Sequence, residues 1–337
     1  MPASAAIYGC QGLVLAPEER DFFREVRPFG FILFARNCDN PEQMRVLCRE
    51  LRACVGSDAP ILIDQEGGRV ARLKPPHWRT RPAARRFGEL FAIDADMGRQ
   101  AAYLCARLIA CELRDAGVNV NCAPVLDVPV PGAHDIIGDR AYAMDPAVVI
   151  ELARATMEGY LDGGVLPIVK HIPGHGRALA DSHLALPRVT ATADELSAHD
   201  FVIFRSLSHA PMAMTAHVVY EAIDPQRPAT TSPRVVQKII RGEIGFNGLL
   251  MSDDLSMAAL DGPLGARAKH AFLAGCDVVL HCNGKRDEMT AIAEETGALN
   301  GKALHRAESA LNQLHPPAEI DVEAGEARLN QMLGLPA

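Results

Sequence analysis

Apolar positions along this chain fall into two alternating patterns. Short runs, nearly unbroken in Val, Ile, Leu and Met, occupy residues 12–15, 31–34, 61–63, 118–122, 167–169, 212–215, 249–252 and 277–280. Runs of this length and continuity are what strands show when both faces are covered, as in a parallel sheet. Between them lie longer segments with helical spacing, at 17–26, 41–54, 98–116, 146–162, 193–206, 233–242, 264–274 and 288–299. Their starts carry helix signals: Pro17, Pro41, Pro146 and Pro233 stand at first helical positions after Ala16, Asn40, Asp145 and Ser232. Thr192 with Glu195 three residues on forms a capping box.

Eight strand-helix units predict a single-domain α/β fold, a closed TIM (β/α)8 barrel over residues 1–337, because parallel crossovers are right-handed and successive units close a ring. The Glu-, Ala- and Pro-rich tail from about Pro316 is expected to pack outside the barrel as a last helix. An open doubly wound sheet is the alternative. Neither of its usual phosphate-cradling signatures, G-x-G-x-x-G after a strand or G-x-x-x-x-G-K-[ST], is present.

A barrel gathers its chemistry at the C-terminal ends of its strands, and those positions here are rich in ionisable groups. The third strand runs into Asp64-Gln65-Glu66-Gly67-Gly68-Arg69 with Arg72 after it, and the fourth leads to Asp127. The fifth leads into Lys170-His171-Ile172-Pro173-Gly174-His175-Gly176 and on to Asp181-Ser182-His183. His217 follows the sixth, Ser252-Asp253-Asp254 ends the seventh, and His281 and Asn283 follow the eighth. Any one of these reads as an ordinary loop residue, but groups from at least five strands would converge on a single pocket. Adjacent side chains of an extended strand point oppositely, so only one of Asp253 and Asp254 is expected to face that pocket. Asp181 and His183, two residues apart in an extended segment, would share a side, letting the carboxylate orient the imidazole as a tuned acid/base.

Taken together, the four blocks Asp64–Val70 with Arg72, Lys170–Gly176, Asp181–His183 and Ser252–Met257 resemble the signature segments of glycoside hydrolase family 3, and within it the bacterial single-domain β-N-acetylhexosaminidases. The resemblance implies a retaining β-N-acetylglucosaminidase. In such an enzyme Asp253 would be the nucleophile, with His183, polarised by Asp181, as acid/base in place of the usual second carboxylate. It further implies that Asp64, Arg72, Arg140, Lys170 and His171 bind the terminal N-acetylglucosamine. Arg140 enters through the looser match of Ile137-Gly138-Asp139-Arg140-Ala141-Tyr142. The physiological substrate implied is a 1,6-anhydro-muropeptide of peptidoglycan recycling, handled in the cytoplasm without cofactor or metal.

Composition narrows the partners. With 34 Lys and Arg against 42 Asp and Glu, the 337-residue chain has a net charge of −8 and lacks the basic footprint of a duplex nucleic-acid binder. The longest uncharged stretch, residues 1–17, is broken by Pro2, Gly9, Gln11 and Gly12 and is short for a membrane span. No Lys or Arg precedes Arg20, so a secretory signal is not expected. Nine cysteines without a C-x-x-C pair suit a reducing compartment. The expected partner is a small carbohydrate such as a muropeptide or chitobiose-like glycoside, with no nucleic acid and no membrane, acted on by a monomer. Two rival chemistries remain: a family 3 phosphorylase, and a metal-dependent hydrolase using His171, His175, His183, His217 and His281. H-E-x-x-H does not occur.

Overall fold

A computed structural model describes residues 2–56, 58–178, 182 and 186–335. Eight parallel strands close a barrel in simple chain order: β1 (Ser4–Gly9), β2 (Pro28–Leu33), β3 (Ile61–Ile63), β4 (Val120–Asn121), β5 (Leu166–Ile172), β6 (Met212–Thr215), β7 (Leu249–Asp254) and β8 (Val278–His281), with β8 returning to β1. This is the TIM barrel expected from the alternation of elements. An accessory pair, Arg188–Val189 with Val219–Tyr220, lies outside the ring.

Strand register sorts the apolar side chains into two layers. One cluster fills the barrel interior with Ile7, Leu62, Val120, Ile168, Met214, Met251 and Leu280. The other joins the outward faces of the strands to the surrounding helices, with Ile61, Ile63, Val169, Ala213 and Leu250 among its strand members. Residues two apart share a layer, as the pleat of a strand requires.

The helices start where their caps predict. Asn40 accepts from Gln43 N, Asp145 from Ala147 N, Ser232 Oγ from Val235 N and Thr192 from Glu195 N. Helices Pro17–Val26, Pro146–Asp162 and Leu264–Ala274 match their predicted spans. Residues 193–206 are helical, with Leu196–Phe201 wound as π-helix, and Val235–Glu243 is π-helical as well. Two helices, Ala84–Ile93 and Gly301–Leu311, fall outside the predicted set. In the tail, Val322–Leu333 forms a helix that packs on Ala95–Asp115. Its Glu326 forms a fork with buried Arg81, which also bonds Glu112. Among the described residues no helix is long and apolar enough to cross a membrane.

One strand assignment needs correction. The first strand is not 12–15 but Ser4–Gly9, where Ala6, Ile7 and Tyr8 pair with Val279, Leu280 and His281. Residues 12–15 are a rim loop on which Leu13 and Val14 are exposed. The loop is pinned by the Glu19 carboxylate, which accepts from Gln11 N and Ala16 N. The small residues Ala5 and Ala6 weaken the apolar signal of the true strand, and only the slot between β2 and β8 identifies it.

Candidate active site

The alternation seen in the barrel wall decides which strand-end side chains turn inward. In β5, Leu166 and Ile168 are interior and Val169 is exterior, so the next interior position is Lys170. In β7, Leu249 and Met251 are interior and Leu250 is exterior, which places Asp253 inside. Leu62 is interior between exterior Ile61 and Ile63, and Asp64 follows it by two. These side chains meet at the C-terminal mouth, in a cavity of about 350 Å³ whose wall includes Asp64, Arg72, Arg140, Lys170, His171 and Asp253. Six of the eight residues singled out from the sequence therefore come together. Asp181 and His183 lie outside the described residues.

The floor on one side is a connected set of ions. Lys170 Nζ lies 2.7 Å from both Asp64 Oδ1 and Glu66 Oε1, and Arg72 reaches Asp64 Oδ2 at 3.3 Å. Arg140 forks onto Glu66, donating from Nε and Nη2 at 2.8 Å each. Burial alone would push both carboxyls up, but Lys170 with Arg72 holds Asp64 below its ordinary value, and Lys170 with Arg140 holds Glu66 well below. Burial likewise works against the charge on Lys170, and Asp64 and Glu66 overcome it to raise the ammonium. Asp64, Glu66, Lys170 and Arg140 stay ionised at neutral pH, presenting fixed donors and acceptors to a hydroxyl-rich ligand. Arg69, also part of the cavity wall, bonds Asp139 and the carbonyls of Asp135 and Ile136.

Across the cavity, Asp253 and Asp254 play different parts. Both touch the cavity wall, whereas the strand alternation predicts only one. The carboxylate of Asp254 is nonetheless committed to the protein, accepting from Ser256 N, Ser256 Oγ and Cys282 N. Asp253 accepts from Asp254 N at 2.8 Å, and among the described residues no cation stands within ion-pair distance. Burial pushes its carboxyl up, yet His217, His171 and that backbone N–H together keep it below its ordinary value. The result is an ionised, accessible oxygen pair with no other engagement among the described residues.

Several histidines of this face are structural. His217 is fully buried between Thr230 Oγ1 and the Asp254 carbonyl, and His281 lies buried beside Asp254 and Glu288. His175 touches the cavity, bonds Ser182 Oγ through Nε2 at 3.2 Å, and is pushed by burial from 6.5 down to about 4. Between these two values the unfolded chain binds a proton that the folded chain does not, so stability falls as pH drops through that window, by at most about 1.4 kcal/mol per pH unit for this group. His217 and His281 are shifted the same way. His175→Gln is therefore expected to lose less stability than the native protein between pH 7 and pH 5 in urea titrations. Equal losses in the two proteins would assign the acid sensitivity elsewhere.

Three contributors to the site carry no signal of their role along the chain. Glu66 is the hub between Lys170 and Arg140, Asp127 anchors His171, and His175 lines the wall. Each lies in or beside one of the strand-end blocks. These roles depend on partners far along the chain, 44 residues away for Asp127–His171 and 74 for Glu66–Arg140, which spacing along the chain does not reveal.

The sequence profile of the glycosyl hydrolase family 3 N terminal domain matches residues 17–313. A relative named Beta-hexosaminidase from Alkalilimnicola ehrlichii is 42% identical over 279 residues, covering 82% of this chain and 79% of the relative. Another of that name from Pseudomonas aeruginosa is 39% identical over 285 residues, covering 84% and 83%. Among solved structures, native NagZ from Neisseria gonorrhoeae superposes with a TM-score of 0.86 at 32% identity, covering 99% of this chain and 97% of that one. NagZ of the same organism in complex with N-trifluoroacetyl-D-glucosamine gives a TM-score of 0.88 at 32% identity, covering 99% and 98%.

Proposed function

This chain belongs to glycosyl hydrolase family 3 and is a glycoside hydrolase of the β-hexosaminidase kind, and from that premise we propose that it is a retaining exo-β-N-acetylglucosaminidase with Asp253 as nucleophile. The observation that carries this reading is the placement of Asp253: ionised, without an ion-pair partner among the described residues, and facing the ion set of Asp64, Lys170 and Arg140 across one cavity. A carboxylate so placed can both stabilise a developing oxocarbenium ion and attack it.

In the proposed cycle, an Asp253 oxygen forms a bond to the anomeric carbon while the glycosidic C–O bond breaks. Protonated His183, oriented by Asp181, gives its proton to the departing oxygen. Neutral His183 then takes a proton from water, the water oxygen bonds to the same carbon, and the ester to Asp253 breaks with return of the β configuration. Asp64, Arg72, Arg140, Lys170 and His171 hold the terminal sugar by its hydroxyls, and the bound glucosamine derivative of the Neisseria NagZ complex supports that ligand class. The family resemblance extends the reading to 1,6-anhydro-muropeptides as substrates in cytoplasmic peptidoglycan recycling, with the enzyme acting as a monomer.

Release of p-nitrophenol from its β-N-acetylglucosaminide, with the β-glucoside as control and chelator present, tests the specificity. Proton NMR of the first-formed sugar tests the stereochemistry. Turnover of the first substrate alone, with the β-anomer appearing first, is expected. Initial appearance of the α-anomer would rule out a covalent role for Asp253, and folded protein inert toward both substrates would reject the reading.

A further inference from the structure

Asp127 lies in the irregular segment after β4, fully buried behind the cavity wall, and both of its oxygens are in use. Oδ1 accepts the backbone N–H of His171 at 3.2 Å and that of His175 at 2.6 Å, while Oδ2 stands 2.6 Å from His171 Nδ1. Burial pushes this carboxyl up, but the neighbouring imidazoles and the His175 N–H overcome it and keep Asp127 ionised. An ionised carboxylate has no proton to donate, so the proton of the 2.6 Å contact sits on Nδ1. His171 lines the cavity, and ring geometry places Nε2 on the edge turned away from Asp127.

We propose that Asp127 is a positioning residue that fixes the tautomer of His171, holding the ring proton on Nδ1 so that the lone pair of Nε2 meets the substrate and accepts a hydrogen bond from a sugar hydroxyl. The same carboxylate ties the His171 ring to the turn that ends at His175, so the ring and the cavity wall keep one register. The inference rests on the glycosidase reading for what His171 contacts, but the tautomer itself is a property of the unliganded protein. Carboxylate partners of this kind set ring orientation and tautomer wherever an imidazole must present one nitrogen.

Asp127→Asn separates this role from simple packing. The amide oxygen can keep the two backbone N–H groups, while the NH2 now faces Nδ1 and forces it to accept, moving the ring proton to Nε2. Nitrogen-15 NMR of the full-length, histidine-labelled protein, with His171→Gln to assign the signal, is expected to show Nδ1–H in the native protein and Nε2–H in Asp127→Asn. Native protein with the proton on Nε2 overturns the proposal without reference to any variant. For p-nitrophenyl β-N-acetylglucosaminide, kcat/KM is expected to fall about 10- to 100-fold in Asp127→Asn with the melting transition preserved. A variant within about twofold of native, with the same pH profile, would also overturn it. Native protein inactive on this glycoside would sink the functional reading instead, and the NMR result would still decide the tautomer.

Discussion

Asp253→Ala is expected to lower kcat on p-nitrophenyl β-N-acetylglucosaminide by at least about 10³-fold, the scale on which loss of a covalent nucleophile is felt. The fold should hardly notice. The Asp253 carboxylate forms no ion pair within the described residues, and its one close hydrogen bond there comes from the adjacent Asp254 N. Methyl for carboxylate at this strand end leaves Asp254 still bonded to Ser256 and Cys282, so the loop after β7 keeps its anchor. Saturation kinetics and thermal melting on the same preparation decide the matter. Near-native turnover would remove Asp253 from the nucleophile position, and a collapse of melting temperature would mean that the carboxylate serves the fold.

The second large effect is expected at Glu66, and it reverses the balance. Its side chain is 7% exposed and neutralises both Lys170, 3% exposed, and Arg140, 11% exposed. Glu66→Ala leaves Arg140 without its carboxylate fork and Lys170 with Asp64 alone. Breaking a buried pair from one side costs about 3–5 kcal/mol, because the remaining charge is desolvated without compensation. Urea unfolding should register that loss, and Glu66→Gln, which keeps the shape and one acceptor, should lose less. Sugar binding should weaken as well, since Arg140 and Lys170 both face the cavity. An unfolding free energy within about 1 kcal/mol of native in Glu66→Ala would show that solvent already screens this cluster.

Much of the barrel is legible in the amino-acid sequence. Residues 61–63, an unbroken apolar run, and 212–215, apolar up to Thr215, are the strands observed, and capped helix starts at Asn40 and Asp145 form as their side chains dictate. The failure at 12–15 is equally physical. Leu13 and Val14 are apolar but occupy a rim loop, while Ser4–Gly9, with two alanines, takes the closing slot of the ring. Local hydrophobicity cannot rank two candidates whose difference is the pairing available to them. Likewise β5 and β7 run on to Ile172 and Asp254, so Lys170, His171, Asp253 and Asp254 are strand residues rather than loop residues.

By itself the sequence determined the barrel and named the strand ends that carry ionisable groups, because periodicity and capping are local properties of the chain. It also set Asp253 and Asp254 on opposite sides of an extended strand, since side chains alternate along it, while which side faces inward came from the layers of the closed barrel. Which charges neutralise which was decided by tertiary structure alone. That Glu66 serves both Lys170 and Arg140, that Asp254 is spent on Ser256 and Cys282 while Asp253 faces the cavity, and that Asp127 meets His171 follow from barrel closure. Closure sets side chains far apart in the chain within hydrogen-bond distance inside a buried mouth, where a charge is retained by ion partners or, as at Asp253, by a backbone N–H and nearby imidazoles.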